Sequence, residues 1–178
     1  MVDFDCAHQR HAILARLAAL DWARTPVFEI NGLKREELNA AGSVILHELY
    51  FDSLGGDGDN PPTGLEVPSG ELAQALERDF GSVMAWRAEF TAMAKALAGG
   101  SGWAILAWSE RLGRLVNHWA ADHAHALPGA TPILALDMYE HAYQMDYGAK
   151  AAAYVDAFME AIRWDNAVTL YDRYRVES

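Results

Sequence analysis

Leu136-Asp137-Met138-Tyr139-Glu140-His141-Ala142-Tyr143 decides how the rest of this 178-residue chain is read. Upstream of it, Pro132-Ile133-Leu134-Ala135-Leu136 is a short apolar run of strand length. Downstream, Ala142, Tyr143, Tyr147, Tyr154, Phe158 and Ile162 recur at helical spacing, and a helical tail is expected to run to about Tyr171. Asp137 therefore closes a strand and His141 falls one helical turn later, so both side chains can converge on one point. A first-row metal ion suits that point, because it accepts mixed nitrogen and oxygen ligands. The same spacing also describes a helix-capping aspartate followed by a core histidine, and the remainder of the chain must separate the two.

Working outward, Trp103 to Trp108 and Arg114 to Trp119 read as an antiparallel pair around Glu110-Arg111-Leu112-Gly113, and Ile133 to Leu136 adds a third strand. Helices are expected from His8 to Trp22, Glu36 to Leu54, Ser69 to about Phe80 and Val83 to Leu97. Ser69 is placed to cap the third of these. Asn31-Gly32 marks a turn before the second. The polar run Gly55-Gly56-Asp57-Gly58-Asp59-Asn60-Pro61-Pro62 is the best boundary, giving an N-terminal helical unit over 1–56 and a C-terminal unit over 64–178. His47 lies among Val44, Ile45, Leu46, Tyr50 and Phe51, where an isolated histidine more often fills a core than binds a ligand.

A formal charge of −11 argues against a nucleic-acid partner, since phosphate binding requires a basic face. It also repels a small anion unless local positive charge focuses the approach. No apolar run reaches membrane-spanning length, Met1 to Arg10 lacks the apolar core of a secretory signal, and the single cysteine, Cys6, rules out an internal disulfide framework. A cytoplasmic location is the expectation.

Asp137-Met138-Tyr139-Glu140-His141-Ala142-Tyr143 resembles the C-terminal metal-binding motif of the iron/manganese superoxide dismutases, usually D-x-W-E-H-A-x. Further stretches support the resemblance in the same order along the chain: His47-Glu48-Leu49-Tyr50, Phe80-Gly81-Ser82 with Phe90, Gly100-Ser101-Gly102-Trp103, Asp122-His123, Pro132 and Trp164. The match runs from about Ala41 to Trp164. It implies an α+β fold, with an N-terminal helical hairpin and a C-terminal α/β domain whose three-stranded antiparallel sheet is flanked by helices. It also implies one Fe or Mn ion per chain, superoxide as substrate, and a homodimer. His47, Asp137 and His141 carry over as metal ligands.

The family draws a fourth ligand from its first helix, and here no register satisfies that pattern. His8 is the preferred ligand, which places Ala12 and Arg16 where a histidine and a gateway tyrosine belong; His11 is the reserve. By the same resemblance His123 tunes metal-bound solvent, with small Ser43 facing it. Trp103 and Tyr139 wall the site from water, Tyr139 replacing the usual tryptophan. Glu140, with Tyr143 beside it, faces the partner subunit. The family's later asparagine and arginine have become Ala149 and Ala151, next to Lys150. Metal-dependent dismutation of superoxide is the first expectation. The alternatives are a metalloprotein on the same fold with another role and a relative with an empty site. Positive charge at Arg16 or Lys150 lining a funnel would favour an anionic substrate.

Overall fold

The computed structural model describes residues 2–55 and 67–176, with Val2 to Ala7 as backbone only. The elements in chain order are α1 (Val2–Ala18), α2 (Val27–Asp52), α3 (Gly70–Phe80), α4 (Val83–Ala96), β1 (Trp103–Ser109), β2 (Arg114–Ala120), β3 (Ala130–Asp137), α5 (Glu140–Tyr147), α6 (Ala151–Ala161) and α7 (Trp164–Val176). The Gly/Pro-rich boundary beyond Gly55, and with it the limits of the two expected units, falls outside the described residues, as does the Cys6 side chain.

The three strands form one antiparallel sheet in the order β2-β1-β3. β1 is central and every one of its residues is buried, which is why Trp103-Ala104-Ile105-Leu106-Ala107-Trp108 reads as a continuous apolar run rather than an alternating one. Helices α3, α4 and α7 pack on the sheet, and α2 packs on β3. Trp86 of α4 is fully buried and donates its indole N–H to Asn117 of β2 at 3.0 Å, so the heaviest core side chain leaves no orphaned donor. Against β1, β3 slips register between Leu134 and Pro132. Proline cannot donate to a ladder and is tolerated at such a bulge on an edge strand, which accounts for Pro132.

Phe80-Gly81-Ser82 is a double helix boundary. Gly81 ends α3 at φ +88°, a conformation that favours glycine, and the Ser82 hydroxyl caps α4 by accepting from Ala85 N at 3.0 Å. Ser69 occupies the N-cap position of α3 as expected, without a side-chain cap bond.

Two sequence expectations are corrected. Asn31-Gly32 does not turn the chain; it lies inside α2, which starts after Pro26. An exposed mid-helix glycine costs only about 1 kcal/mol against alanine, and the continuous face Ala40, Ser43, Leu46, His47, Leu49 and Tyr50 holds the 26-residue helix on the core. The expected single helix after Tyr139 is instead three. Gly148 breaks it at φ +55°, and a second break follows α6 because Arg163 N turns away to Ser53 O (2.9 Å) while Gly55 N bonds Ala161 O (2.7 Å). The end of α2 is thereby stitched to the α6–α7 corner.

Candidate metal centre

Asp137 is the last residue of β3 and His141 lies in the first turn of α5, as the strand-to-helix reading anticipates. His47 arrives from the buried face of α2. Their donor atoms converge: Asp137 Oδ2 lies 3.0 Å from His141 Nε2 and 3.4 Å from His47 Nε2, and the two Nε2 atoms are 3.5 Å apart. Donors bound to one ion at about 2.1 Å, with angles of 90–120°, stand about 3.0–3.6 Å from one another. The three atoms therefore already have the spacing of a shared metal sphere.

The supporting contacts select the same atoms. His47 Nδ1 donates to Ser43 O at 2.8 Å, which fixes the tautomer and leaves the Nε2 lone pair pointing into the cluster. Asp137 Oδ1 accepts from Tyr139 N at 2.8 Å, leaving Oδ2 for the ion. The Tyr154 hydroxyl, from α6, donates to Asp137 O at 2.8 Å and in turn lies 3.1 Å from the Tyr50 hydroxyl, which is left to donate to it. Burial raises the pKa of both phenols, Tyr154 strongly, so both stay protonated donors. Tyr50 stands inside a motif quoted above and Tyr154 in the helical periodicity of the tail, yet aromatic side chains at helical spacing read as core, and nothing in the sequence marks either as a brace for Asp137. Tyr154→Phe should weaken metal affinity about tenfold, in the range of lost outer-sphere hydrogen bonds. Chelator competition on the metal-loaded protein measures it, and unchanged affinity would reduce Tyr154 to packing.

His123 reaches the centre through the loop between β2 and β3. Its Nδ1 accepts from Trp103 Nε1 at 3.0 Å, its ring stacks on Tyr139 at 4.7 Å, and Tyr139 stacks on His141 at 5.5 Å. The edge of Trp103 meets the His47 ring at 5.0 Å. Trp103, His123 and Tyr139 thus wrap the three donors on one side. Burial, reinforced by nearby His47, pushes the His123 pKa down, which favours a neutral ring whose proton sits on Nε2. Burial beside Asp122 and Asp137 raises that of Tyr139.

Two glycines permit this geometry. A Cβ on Gly42 of α2 would stand 1.8 Å from His123 O, so only glycine lets the loop lie against the helix. Gly102 takes φ +143°, passes Ala120 O where a Cβ would come within 2.2 Å, and accepts from Met138 N at 2.9 Å. It thus ties the start of β1 to the Asp137 corner.

His8 and His11 are not brought to this group. Among the described residues, His47, Asp137 and His141 form the only such cluster of candidate donors. α1 packs through Ile13 and the buried Leu17. At about 100° per residue, His8 and His11 lie on the opposite side, and both are exposed. Tyr143 is buried and stacks on Tyr154 at 5.3 Å, whereas Glu140 is exposed. Arg16 pairs with Glu29, and neither it nor Lys150 lines the cleft at His123.

A four-helix-flanked antiparallel sheet with a His/Asp/His donor set at the β3–α5 corner defines a metalloprotein of α+β architecture. Residues 68–169 match the family model for the C-terminal domain of iron/manganese superoxide dismutases. The chain is 64% identical over 161 residues to an iron superoxide dismutase of Cupriavidus metallidurans, covering 90% of this chain and 78% of that protein. It is 42% identical over 136 residues to a manganese superoxide dismutase of Halobacterium salinarum (76% of this chain, 63% of that protein). With an iron superoxide dismutase of Aquifex pyrophilus it shares 41% identity over 138 residues (77% and 61%). The chain thus spans less than two thirds of the last two relatives. It belongs to the iron/manganese superoxide dismutase family.

Proposed function

We propose that this protein dismutates superoxide, converting two superoxide anions and two protons into dioxygen and hydrogen peroxide, with one Fe or Mn ion per chain held by His47, Asp137 and His141. The observation that carries the reading is the convergence of three correctly oriented donor atoms at 3.0–3.5 Å in a chain of this family. When bound, the ion supplies one-electron chemistry by alternating between two oxidation states. The chain's residues do the rest. Ser43 and Tyr154 hold the ligands in orientation, and the Trp103–His123–Tyr139 wall keeps bulk water out. His123, neutral with its Nδ1 occupied by the indole, offers an Nε2–H toward solvent or substrate in the site.

The functional unit in this reading is a homodimer. A metal-bound imidazole almost always donates its second N–H to a carboxylate or carbonyl. His141 uses Nε2 for the cluster, its Nδ1 has no partner among the described residues, and its side chain is 44% exposed beside the exposed Glu140. Glu140 from a second copy would satisfy that nitrogen. No described helix is long and apolar enough to cross a membrane, and a single cysteine fits the cytoplasm.

Elemental mass spectrometry of protein purified without chelator tests the centre, with light scattering on the same sample for the dimer. Close to one Fe or Mn per chain, lost in His47→Ala together with dismutation, is the expected result. Metal far below one per chain and unaffected by the substitution would overturn the reading.

A further inference from the structure

The approach to the metal centre carries a cation that the sequence did not single out. Arg35, Asn39, Ser43 and His47 follow one another at four-residue spacing on α2, so they share one slowly drifting stripe of the helix. The stripe passes from exposed Arg35 through half-buried Asn39 to buried Ser43 and His47. Its outer half lines a cleft of about 470 Å³ together with Glu36, Asp122, His123 and Tyr139. His123 and Tyr139 are the two rings that stack on each other and onward to His141, so the cleft ends at the wall of the centre. Among the described residues Arg35 is the one cation on the cleft lining, which also carries the carboxylates of Glu36 and Asp122, and it forms no ion pair or hydrogen bond with any of them. By contrast, Arg16, Arg24, Arg78, Arg163 and Arg175 are all paired with carboxylates.

We propose that Arg35 is the steering residue for the anionic substrate, drawing superoxide into this cleft against the field of a chain of net charge −11. The role rests on the superoxide reading above. The physical need is plain: a chain of large net negative charge repels a monoanion at long range, and a local positive charge at the mouth of a cleft raises its concentration there. Arg16 is paired away from this cleft, Lys150 does not line it, and position 151 is alanine, so among the described residues on the lining it is Arg35 that supplies that charge.

The test uses metal-loaded protein, with kcat/KM for superoxide measured at about 0.01 M and about 0.15 M ionic strength, between which the screening length falls from about 30 Å to about 8 Å. Arg35→Gln should lower kcat/KM about threefold at low salt, the gap closing at high salt, and Arg35→Lys should restore most of it. Lys34→Gln is the control. It changes net charge equally but sits on a different hollow with Arg10 and Glu37. It should leave kcat/KM unchanged. Azide, titrated optically as an inert monoanion, should bind Arg35→Gln about threefold more weakly at low salt. Equal rates for wild type and Arg35→Gln at low salt, or equal losses in Arg35→Gln and Lys34→Gln, would overturn the proposal. Should metal-loaded wild type not dismutate superoxide, the proposed function falls and azide decides: unchanged azide affinity in Arg35→Gln overturns the steering role, and weakened affinity upholds it.

Discussion

Asp137→Asn is expected to strip the protein of its metal ion while leaving the fold standing. The amide oxygen can still accept from Tyr139 N in place of Oδ1, so the turn into α5 keeps its bond. The other position becomes an NH2 facing His47 Nε2 and His141 Nε2, both able to accept a hydrogen bond from it. The ion loses its only anionic ligand in the cluster and meets a donor instead. Losing an outer-sphere partner costs 10–100-fold in metal affinity, so loss of the ligand itself should exceed about 100-fold. Metal content should fall from near one per chain to less than about a tenth. A ligand present at a thousand times its Kd stabilises the native state by about 4 kcal/mol, equivalent to roughly 8–16 °C in Tm for a chain of this size. Calorimetry with and without added metal should show that increment in the wild type and none in Asp137→Asn. A variant that keeps its ion would identify Asp137 as a helix cap and nothing more.

The second large effect is expected from a methyl group. Gly42→Ala places a Cβ 1.8 Å from the backbone oxygen of His123, a contact that side-chain rotation cannot relieve. The buried face of α2 is held against β3 and the core, so the loop carrying Asp122 and His123 is the part expected to move. Overpacking of this kind costs about 1–3 kcal/mol, a fall of roughly 2–12 °C in Tm. The functional loss should be larger than the stability loss. Displacing His123 breaks its 3.0 Å bond from Trp103 and its stack on Tyr139, while the three metal donors on α2, β3 and α5 do not depend on that loop. Dismutation should drop about tenfold or more with metal content unchanged, in keeping with outer-sphere losses at metal sites. Wild-type activity and Tm together in Gly42→Ala would mean that the loop does not rest on α2 at all.

These two substitutions also mark what the sequence does and does not disclose. The Asp137/His141 convergence was legible because strand period, helix period and a four-residue gap fix it locally. His47 required the resemblance, since an imidazole on an apolar helix face is ambiguous until something else in the chain calls for it. The sheet was readable from its apolar runs, and the register slip at Pro132 agrees with the rule that keeps proline out of sheet interiors. The breaks at Gly148 and Ile162 were missed because the apolar periodicity runs through both. The second break is set by a backbone bond to Ser53, more than a hundred residues away. His8 is placed by register alone, since no register of the first helix satisfies the whole family pattern. Register specifies spacing, but the face a helix buries is decided by its apolar residues, and Ile13 with Leu17 turn both α1 histidines outward. Gly42 and Arg35 were illegible for the same reason: their significance lies in what the β2–β3 loop brings up to α2.

The three donors also differ in how they are enclosed. His47 and Asp137 have side chains only 2% exposed, whereas His141 is 44% exposed and sits on the first turn of a short helix. His141 thus stands at the surface, whereas the other two donors lie beneath α2 and the sheet. Of the three donors it is therefore the one open to solvent, and the α5 rim is the side from which an ion could reach the cluster without parting α2 from β3. In the homodimer proposed above, a second subunit seated over that rim would cover the one donor that a single chain leaves open.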